Sequence, residues 1–323
     1  MNELLYLSRK DVEAASVGLK DIISAIEEMF KLKGAGEVEM PPKPGIHPRK
    51  NSFLHAMPAY IKGKNEVAGL KWVGGYPENS KRNLPYISGL FILNDPATGL
   101  PLCVMDCTWL TAMRTGAATA VAAKYLARPE SRTLGIIGCG VQGRSNLLAL
   151  QEVFNLEKVF IFDLYPESAE KFAGQMQAQI NAKIEIVKTP EEAVRGWDLV
   201  VTAGPWTEKP LGIIQADWLA PGAFASPVDM DTYWSFQAIN QADIFCLDDL
   251  GQFDNFKRQG SFAHYPVPSH DLGKIAAGLQ SGRTSPEQRT IGLNIGMALD
   301  DVAVAPLIYN QALEKQIGIK LDL

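Results

Sequence analysis

Thr133–Asp163, with the sequence TLGIIGCGVQGRSNLLALQEVFNLEKVFIFD, is the stretch that decides the fold. A short apolar run comes first and has the length of a buried strand. Gly138, Gly140 and Gly143 follow with the spacing G-x-G-x-x-G, and a helical pattern comes next. A second apolar run then ends in an acid, Asp163. This order of strand, glycine turn, helix, strand and acid is typical of a dinucleotide-binding βαβ unit.

Each part of this stretch has a physical role in holding a dinucleotide. Gly138 permits the tight turn after the strand, Gly140 lets the backbone approach a pyrophosphate, and Gly143 lets the helix pack closely on the strand. The helix begins near Val141 and Gln142, where backbone N–H groups and a partial positive charge favour phosphate. These five residues are therefore predicted to bind the cofactor.

Asp163 predicts which dinucleotide is bound. It follows Gly143 by twenty residues, where a carboxylate can accept hydrogen bonds from the adenosine ribose hydroxyls. A carboxylate would repel a 2′-phosphate, so NAD is expected rather than NADP. The alternative is a glycine-rich turn in some other α/β protein, which the flanking strands and the acid disfavour.

Length and composition allow two domains with sizeable cores, since the chain has 323 residues, 46% of them hydrophobic. The net charge is −5 and no basic block stands out, so nucleic acid and anionic membranes are not expected as partners. The spacing of the four cysteines fits neither a zinc site nor a disulfide framework, and no metal is expected. The first residues lack a signal-peptide pattern and no long apolar run follows, so a cytoplasmic location is expected.

The chain after Asp163 continues to alternate strands and helices, and a run at 244–248 is predicted to be its last strand. Such alternation predicts an α/β fold with a doubly wound parallel sheet. Residues 50–106 differ, because their apolar runs and turn residues predict an antiparallel sheet outside the nucleotide domain. A final helix is predicted over 292–314.

Two basic side chains stand in apolar surroundings. Lys71 lies in the apolar strand Val67–Val73. Either this is an edge strand whose ammonium reaches water, or the ammonium points into a pocket to hold a carboxylate or move a proton. Arg114 lies among small residues of an alanine-rich helix over 108–127, with no acid nearby on that helix. It is either a surface arginine or a guanidinium that grips a carboxylate.

Three further stretches resemble the ornithine cyclodeaminase/μ-crystallin family, and together with the glycine turn they extend the likeness over nearly the whole chain. They are GLKWVGGYPEN at 69–79, LTAMRTGAA at 110–118 and IGMALDDVA at 295–303. Members of that family include ornithine and lysine cyclodeaminases, an archaeal-type alanine dehydrogenase, and ketimine and other imino-acid reductases. They share NAD(P) chemistry at the α-carbon of an amino acid.

The resemblance implies a Rossmann domain inserted into a second, α+β domain. Residues 1–126 together with 294–323 are expected to form the domain that binds substrate and builds a homodimer. Residues 127–293 are expected to form the NAD-binding domain. Thr115, in the second of the three stretches, is expected to contact the cofactor.

The resemblance also implies catalytic and substrate-binding residues. Lys71 matches a lysine at the substrate carboxylate, which is a candidate for proton transfer too. Arg114 and Lys43 match side chains that bind the same carboxylate. Asp231 matches the aspartate that handles the proton of the amino or imino nitrogen, and Asp229 is the alternative if the loop aligns two residues differently.

These catalytic and substrate-binding residues can act together in one reaction. A hydride can leave the α-carbon only with help from the nitrogen lone pair, so the amine must be deprotonated. A carboxylate or a lysine of lowered pKa can act as that base. The same groups acting in reverse would reduce an imine.

The expected function is therefore an NAD(P)-dependent oxidoreductase that interconverts an L-amino acid and its imino or keto acid. The alternatives are an ornithine or lysine cyclodeaminase, which uses NAD catalytically and releases ammonia, and a crystallin-like nucleotide-binding protein without turnover. His55 stands where cyclodeaminases have a glutamate, two residues before Met57. The missing acid favours a dehydrogenase or imine reductase, while His55 itself is either a structural histidine or a substrate contact.

Overall fold

The computed structural model describes residues 3–207 and 209–323, which form two compact units. One unit runs to Arg114 and resumes at Gly296, so it combines an N-terminal and a C-terminal part of the described chain. The other unit is Thr115–Ile295. Among the described residues, no helix is long and apolar enough to cross a membrane.

The first unit begins with a sheet and three helices. In chain order the elements are β1 (Glu3–Leu7), α1 (Arg9–Ala15), α2 (Leu19–Gly34), β2 (Val38–Glu39), β3 (Gly45–Ile46), β4 (Phe53–Ile61), β5 (Val67–Gly75), a 3-10 helix (Pro77–Arg82), β6 (Ile87–Asn94), β7 (Pro101–Asp106) and α3 (Thr108–Leu126).

The boundary between the units lies inside α3, after Arg114, rather than at 126/127 as expected from sequence. The later part of α3 belongs to the second unit. A Cβ atom on Gly116 would lie only 2.4 Å from the carbonyl oxygen of Ser145, so a small residue is required for this approach. The second boundary, 295/296, lies close to the expected 293/294.

The second unit alternates strands and helices. Its elements are β8 (Thr133–Ile137), α4 (Val141–Gln151), β9 (Lys158–Phe162), α5 (Pro166–Met176), a 3-10 helix (Gln177–Gln179), β10 (Lys183–Ile186), β11 (Leu199–Thr202), a 3-10 helix (Ala216–Trp218), β12 (Phe224–Pro227), α6 (Phe236–Asn240), β13 (Ile244–Leu247), α7 (Leu250–Arg258), β14 (His270–Asp271), α8 (Leu272–Ala276) and β15 (Thr290–Leu293). The strand order is β10-β9-β8-β11-β12-β15-β13-β14, and every neighbouring pair is parallel. The predicted parallel Rossmann sheet is confirmed.

The end of this sheet differs from the sequence-based expectation. The run at 244–248 is not the last strand, because β15 follows it and lies between β12 and β13. Residues 292–314 are therefore not one helix. The last helix, α9 (Ala298–Glu314), begins only after Gly296, whose φ of 86° interrupts regular structure.

The first unit closes with α9 and β16 (Ile319–Asp322), which join the N-terminal elements. Its sheet has the order β16-β1-β7-β6-β5-β4-β2, with β3 also paired to β4. β1 and β7 are parallel, and β4 to β7 form the predicted antiparallel sheet. Helix α9 contacts β4, β5, β6 and α2, so it covers one face of this sheet.

Candidate active site

Lys71 lies in the middle of the first sheet. Its strand, β5, is bonded to β4 and β6, and Lys71 is in register with Met57 and Phe91. Both neighbours are buried, and only 1% of Lys71 is exposed. The explanation that Lys71 sits in an edge strand and reaches water is therefore wrong.

The ammonium of Lys71 is held by the first turn of α9 and by α3. Its Nζ atom lies 2.6 Å from Oδ2 of Asp301 and donates a longer hydrogen bond, 3.4 Å, to Oγ1 of Thr111. Burial lowers the pKa of Lys71 below its usual value, and the Asp301 carboxylate opposes that shift. Lysine buried in this way is suited to proton transfer.

Arg114 is also buried, so it is not a surface arginine. Its NH1 atom donates to Oδ2 of Asp300 at 3.2 Å, and its Nε lies 3.4 Å from Oδ1 of Asp301. The guanidinium also packs against Gly296, where a Cβ atom would lie 2.8 Å from NH1. A glycine is needed there both for its positive φ and for this close approach.

Lys43 reaches the same place from the irregular segment before β4. Its Nζ atom donates a hydrogen bond to the carbonyl oxygen of Gly296 at 3.2 Å. Three predicted site residues, Lys43, Lys71 and Arg114, therefore meet at the start of α9. We call residues 296–301 together with these three cations the α9 cluster.

Two acids of the α9 cluster, Asp300 and Asp301, were not recognised as site residues in the sequence. Asp300 caps the helix, since its Oδ2 accepts from the backbone N–H of Met297 at 2.9 Å. Burial raises the pKa of Asp300 to about 6, although Arg114 opposes the shift. The sequence does contain a signal for them, because two adjacent acids stand beside apolar residues in the motif at 295–303. Charged residues are rarely buried unless they are paired.

His55 lies near these cations and stacks on Phe53, with ring centroids 4.3 Å apart. Burial, with smaller contributions from the neighbouring Lys43, His47 and Lys71, lowers the pKa of His55 from 6.5 to about 4. The imidazole is therefore neutral at physiological pH. It supplies no negative charge to the region around Lys43 and Lys71.

The glycine turn in the second unit has the geometry expected of it. Gly138 has a φ of 98°, and a Cβ atom there would lie 2.6 Å from the backbone of Ala203. A Cβ atom on Gly143 would lie 2.2 Å from the carbonyl oxygen of Gly138. A Cβ on Gly140 would meet no atom of the described residues within 4 Å, so these residues leave the space beside it open. This is room for a ligand close to the backbone.

The remaining predicted cofactor residues flank this turn. Val141 and Gln142 open α4, and Gly140 is its N-cap. Asp163 follows β9, and its carboxylate accepts from the N–H groups of Cys139 at 2.8 Å and Tyr165 at 3.0 Å. These hydrogen bonds fix the carboxylate beside the glycine turn. Thr115, at the start of the second unit, is buried.

Asp229 and Asp231 lie in the loop after β12 and are both buried. Asp231 accepts from the backbone N–H of Phe262 at 2.8 Å, and Asp229 accepts from the N–H of Tyr233 at 3.0 Å. Burial raises the pKa of Asp229 to about 7. Both acids thus belong to the second unit, whereas Lys43, Lys71 and Arg114 belong to the first.

Comparison with known proteins gives concordant results. The sequence pattern of the ornithine cyclodeaminase/mu-crystallin family matches residues 3–316. An alanine dehydrogenase of Archaeoglobus fulgidus is 36% identical, over 99% of this chain and 98% of its own. The structure of Δ1-pyrroline-2-carboxylate reductase of Thermococcus litoralis, in complex with NADH and L-proline, has a TM-score of 0.87 with 33% identity, covering 98% of this chain and 99% of its own. That of an archaeal alanine dehydrogenase dimer with bound NAD has a TM-score of 0.88 with 35% identity over both whole chains.

The fold, the glycine turn and these relatives define the class of protein, an NAD-dependent oxidoreductase of amino or imino acids. The chain belongs to the ornithine cyclodeaminase/mu-crystallin family. The resemblance seen in its sequence, the Rossmann fold, the NAD cofactor and the enzymatic class are thereby confirmed.

Proposed function

We propose that the protein transfers a hydride between NAD and the α-carbon of a small L-amino acid, or its imino or keto form, with an uncharged side chain. The observation that carries this proposal is the α9 cluster, in which Lys71 and Arg114 are buried side by side. Guanidinium and ammonium groups that are buried away from water are suited to binding a carboxylate. Alanine and proline, or the corresponding imino acids, are the substrates we favour, because relatives act on alanine and on Δ1-pyrroline-2-carboxylate.

Each residue of the cluster has a proposed role. Arg114 binds the substrate carboxylate through its planar fork, and Lys43 adds a second positive charge. Lys71 contacts the same carboxylate and holds or moves a proton at the substrate. The positive end of α9 adds to their attraction for an anion.

The nucleotide-binding unit contributes the cofactor and an acid. Bound NAD supplies the hydride acceptor, held by the glycine turn and by Asp163. Asp231 accepts the proton of the substrate nitrogen, so that the lone pair is available when hydride leaves the α-carbon. Asp229 remains the alternative for this role, and the raised pKa of about 7 makes it able to carry a proton near neutral pH.

His55 supports the choice of an uncharged side chain. It is neutral at physiological pH, because burial and, to a smaller extent, the nearby Lys43 and Lys71 lower its pKa. A distal ammonium, as in a diamine substrate, would gain no carboxylate partner from this position. This favours a dehydrogenase or imine reductase over a cyclodeaminase.

A substrate screen followed at 340 nm tests the proposal. Purified protein with NAD is mixed with L-alanine, L-proline, L-ornithine or L-lysine, and with NADH is mixed with pyruvate plus ammonium or with Δ1-pyrroline-2-carboxylate. We expect a net absorbance change with a small neutral substrate. Ammonia release from ornithine or lysine without a net change at 340 nm would instead identify a cyclodeaminase, and binding without either reaction would identify a nucleotide-binding protein.

The outer face of the first sheet supports a homodimer. Successive residues of a strand point to opposite faces, so Trp72 lies opposite to Lys71, on the face away from α9. Trp72 is in register with Leu90, and the two are 43% and 44% exposed. Exposed apolar faces of this kind mark interaction sites, and a related alanine dehydrogenase is a dimer.

Sedimentation velocity tests the dimer. We expect a dimer for the wild type and a monomer for Leu90→Glu, because an unpaired carboxylate would be buried in the contact. Leu279→Glu, at an exposed position of the other unit, is the control and should leave the dimer intact. A wild type that sediments as a monomer would contradict the proposal.

The cytoplasmic location stays a prediction.

A further inference from the structure

Two neighbouring carboxylates of the α9 cluster, Asp300 and Asp301, have no role in the function proposed above. Both are in the first turn of α9, and they are 1% and 0% exposed. Two adjacent buried carboxylates are costly unless each is paired. Their partners therefore indicate what each one does.

The two acids divide the cations between them. Asp301 contacts Lys71 at 2.6 Å and lies 3.4 Å from Nε of Arg114. Asp300 contacts NH1 of Arg114 at 3.2 Å and also caps α9 at Met297. Asp301 is thus the carboxylate in ion-pair contact with the lysine, and Asp300 the one that joins the arginine to the helix.

The groups around Lys71 come from three elements and from the residue before one of them, and their effects on the charge of Lys71 oppose one another. They are Asp300 and Asp301 from α9, Arg114 and Thr111 from α3, Cys107 just before α3, and His55 from β4. Burial and Arg114 lower the pKa of Lys71, and Asp301 raises it. Burial raises the pKa of the Cys107 thiol to about 11, and His55 is neutral, so neither changes its charge near pH 7.

We infer that Asp301 is a positioning residue that keeps the Lys71 ammonium charged and directed, while Asp300 fixes Arg114 to the start of α9. The inference rests on the proposed function only in taking Lys71 as a substrate contact. The binding of the substrate carboxylate then weakens at high pH because Lys71, in its pair with Asp301, loses its proton; this sets the alkaline limb of the pH profile. Arginine stays protonated throughout the accessible pH range, so loss of a proton from Arg114 has no part in that limb.

The pH dependence of kcat/KM for Asp301→Asn and Asp300→Asn tests this assignment. We expect Asp301→Asn to move the alkaline limb to lower pH by at least about one unit, because the amide no longer supports the charge on Lys71. At pH 8 its KM for the carboxylate substrate should rise about tenfold or more. Asp300→Asn is the matched comparison and should move the alkaline limb distinctly less, even if its KM rises, because Asp300 does not contact Lys71 directly. An unchanged limb in Asp301→Asn, or equal shifts in both variants, would contradict the inference.

A double-mutant cycle with Lys71→Met and Asp301→Asn tests the pair without any turnover. Removing one partner leaves an uncompensated buried charge, whereas removing both does not. We expect the double variant to unfold at a higher denaturant concentration than Asp301→Asn alone. The coupling should change the unfolding equilibrium constant about tenfold or more. A double variant no more stable than Asp301→Asn would contradict the pairing, whether or not the proposed substrates are turned over.

Discussion

Nζ of Lys71 lies 2.6 Å from Oδ2 of Asp301, between the first sheet and the helix α9 that covers it. Only 1% and 0% of the two side chains are exposed. A buried ion pair contributes little net stability, because desolvation of both charges offsets their attraction. Two well-packed apolar residues would hold this sheet to α9 at least as well. We therefore interpret the pair as serving chemistry at the α9 cluster rather than the fold.

Replacing Lys71 tests its catalytic role. Lys71→Met keeps the length and apolar stem of the side chain but removes the ammonium. We expect kcat/KM to fall by about 10²–10⁴, the usual contribution of a positioned acid or base. Lys64→Met, at an exposed turn before β5, is the control and should behave as wild type. Steady-state kinetics at saturating NAD measure both, and near-normal turnover by Lys71→Met would remove the lysine from the mechanism.

Replacing Arg114 by lysine tests the role of its planar fork. Arg114→Lys keeps the positive charge beside Asp300 but cannot make two parallel hydrogen bonds to a carboxylate. We expect KM for the amino acid to rise about 10- to 100-fold, with a smaller change in kcat. The Kd for NADH, measured by fluorescence titration, should not change. A KM equal to that of the wild type would show that Arg114 does not bind the substrate.

Asp163 is expected to set the preference for NAD. Asp163→Ser removes the charge that repels a 2′-phosphate and weakens hydrogen bonding to the ribose hydroxyls. The ratio of Kd values for NADPH and NADH should therefore fall by about 10-fold or more. Fluorescence titration with both nucleotides measures this ratio. Glu167→Gln, an exposed acid in the first turn of α5, should leave the ratio unchanged, and a matching fall there would argue against a specific role for Asp163.

Asp229 predicts a pH dependence of stability. Its pKa is raised by burial from 3.8 to about 7, so the folded state binds the proton more tightly than the unfolded state. The stability from this group is fully present below about pH 4 and is lost as the pH rises through about 7. The free energy of unfolding of Asp229→Asn, relative to wild type, should therefore increase between pH 4 and pH 8, by up to about 4 kcal/mol.

Urea unfolding at several pH values measures this difference. Asp254→Asn, at an exposed position of α7, is the control and should show a difference from wild type that hardly varies with pH. If the difference for Asp229→Asn is equally flat, the carboxylate is ionised in the folded protein throughout this range and is unsuited to holding a proton.

The nucleotide-binding unit could be predicted well because its signal is local. The glycines at 138, 140 and 143 and the acid at 163 lie within one βαβ unit, so sequence spacing fixes their geometry. Strand β15 was missed because its place between β12 and β13 depends on pairing with distant strands. The buried run Thr290–Leu293 has no local feature that separates it from the start of the following helix.

The α9 cluster could be predicted only in part. Lys71 and Arg114 were recognisable because a charge in an apolar strand or a small-residue helix is unusual. Their partners, Asp300 and Asp301, come from a helix about two hundred residues later in the chain. Only the folding of α9 onto β5 brings them within 2.6–3.4 Å of the cations. A local sequence pattern therefore could not predict these contacts.

The fate of the hydrogen on the substrate α-carbon tests the central claim most directly. The protein would be incubated with NAD and L-alanine or L-proline deuterated at the α-carbon, and the reduced cofactor analysed by mass spectrometry. We predict that NADH accumulates and carries one deuterium at the nicotinamide, with a rate at least about 10²-fold lower in Lys71→Met. Reduced cofactor without deuterium, or no reduction of NAD by either amino acid and no oxidation of NADH by the corresponding imino acids, would contradict the account.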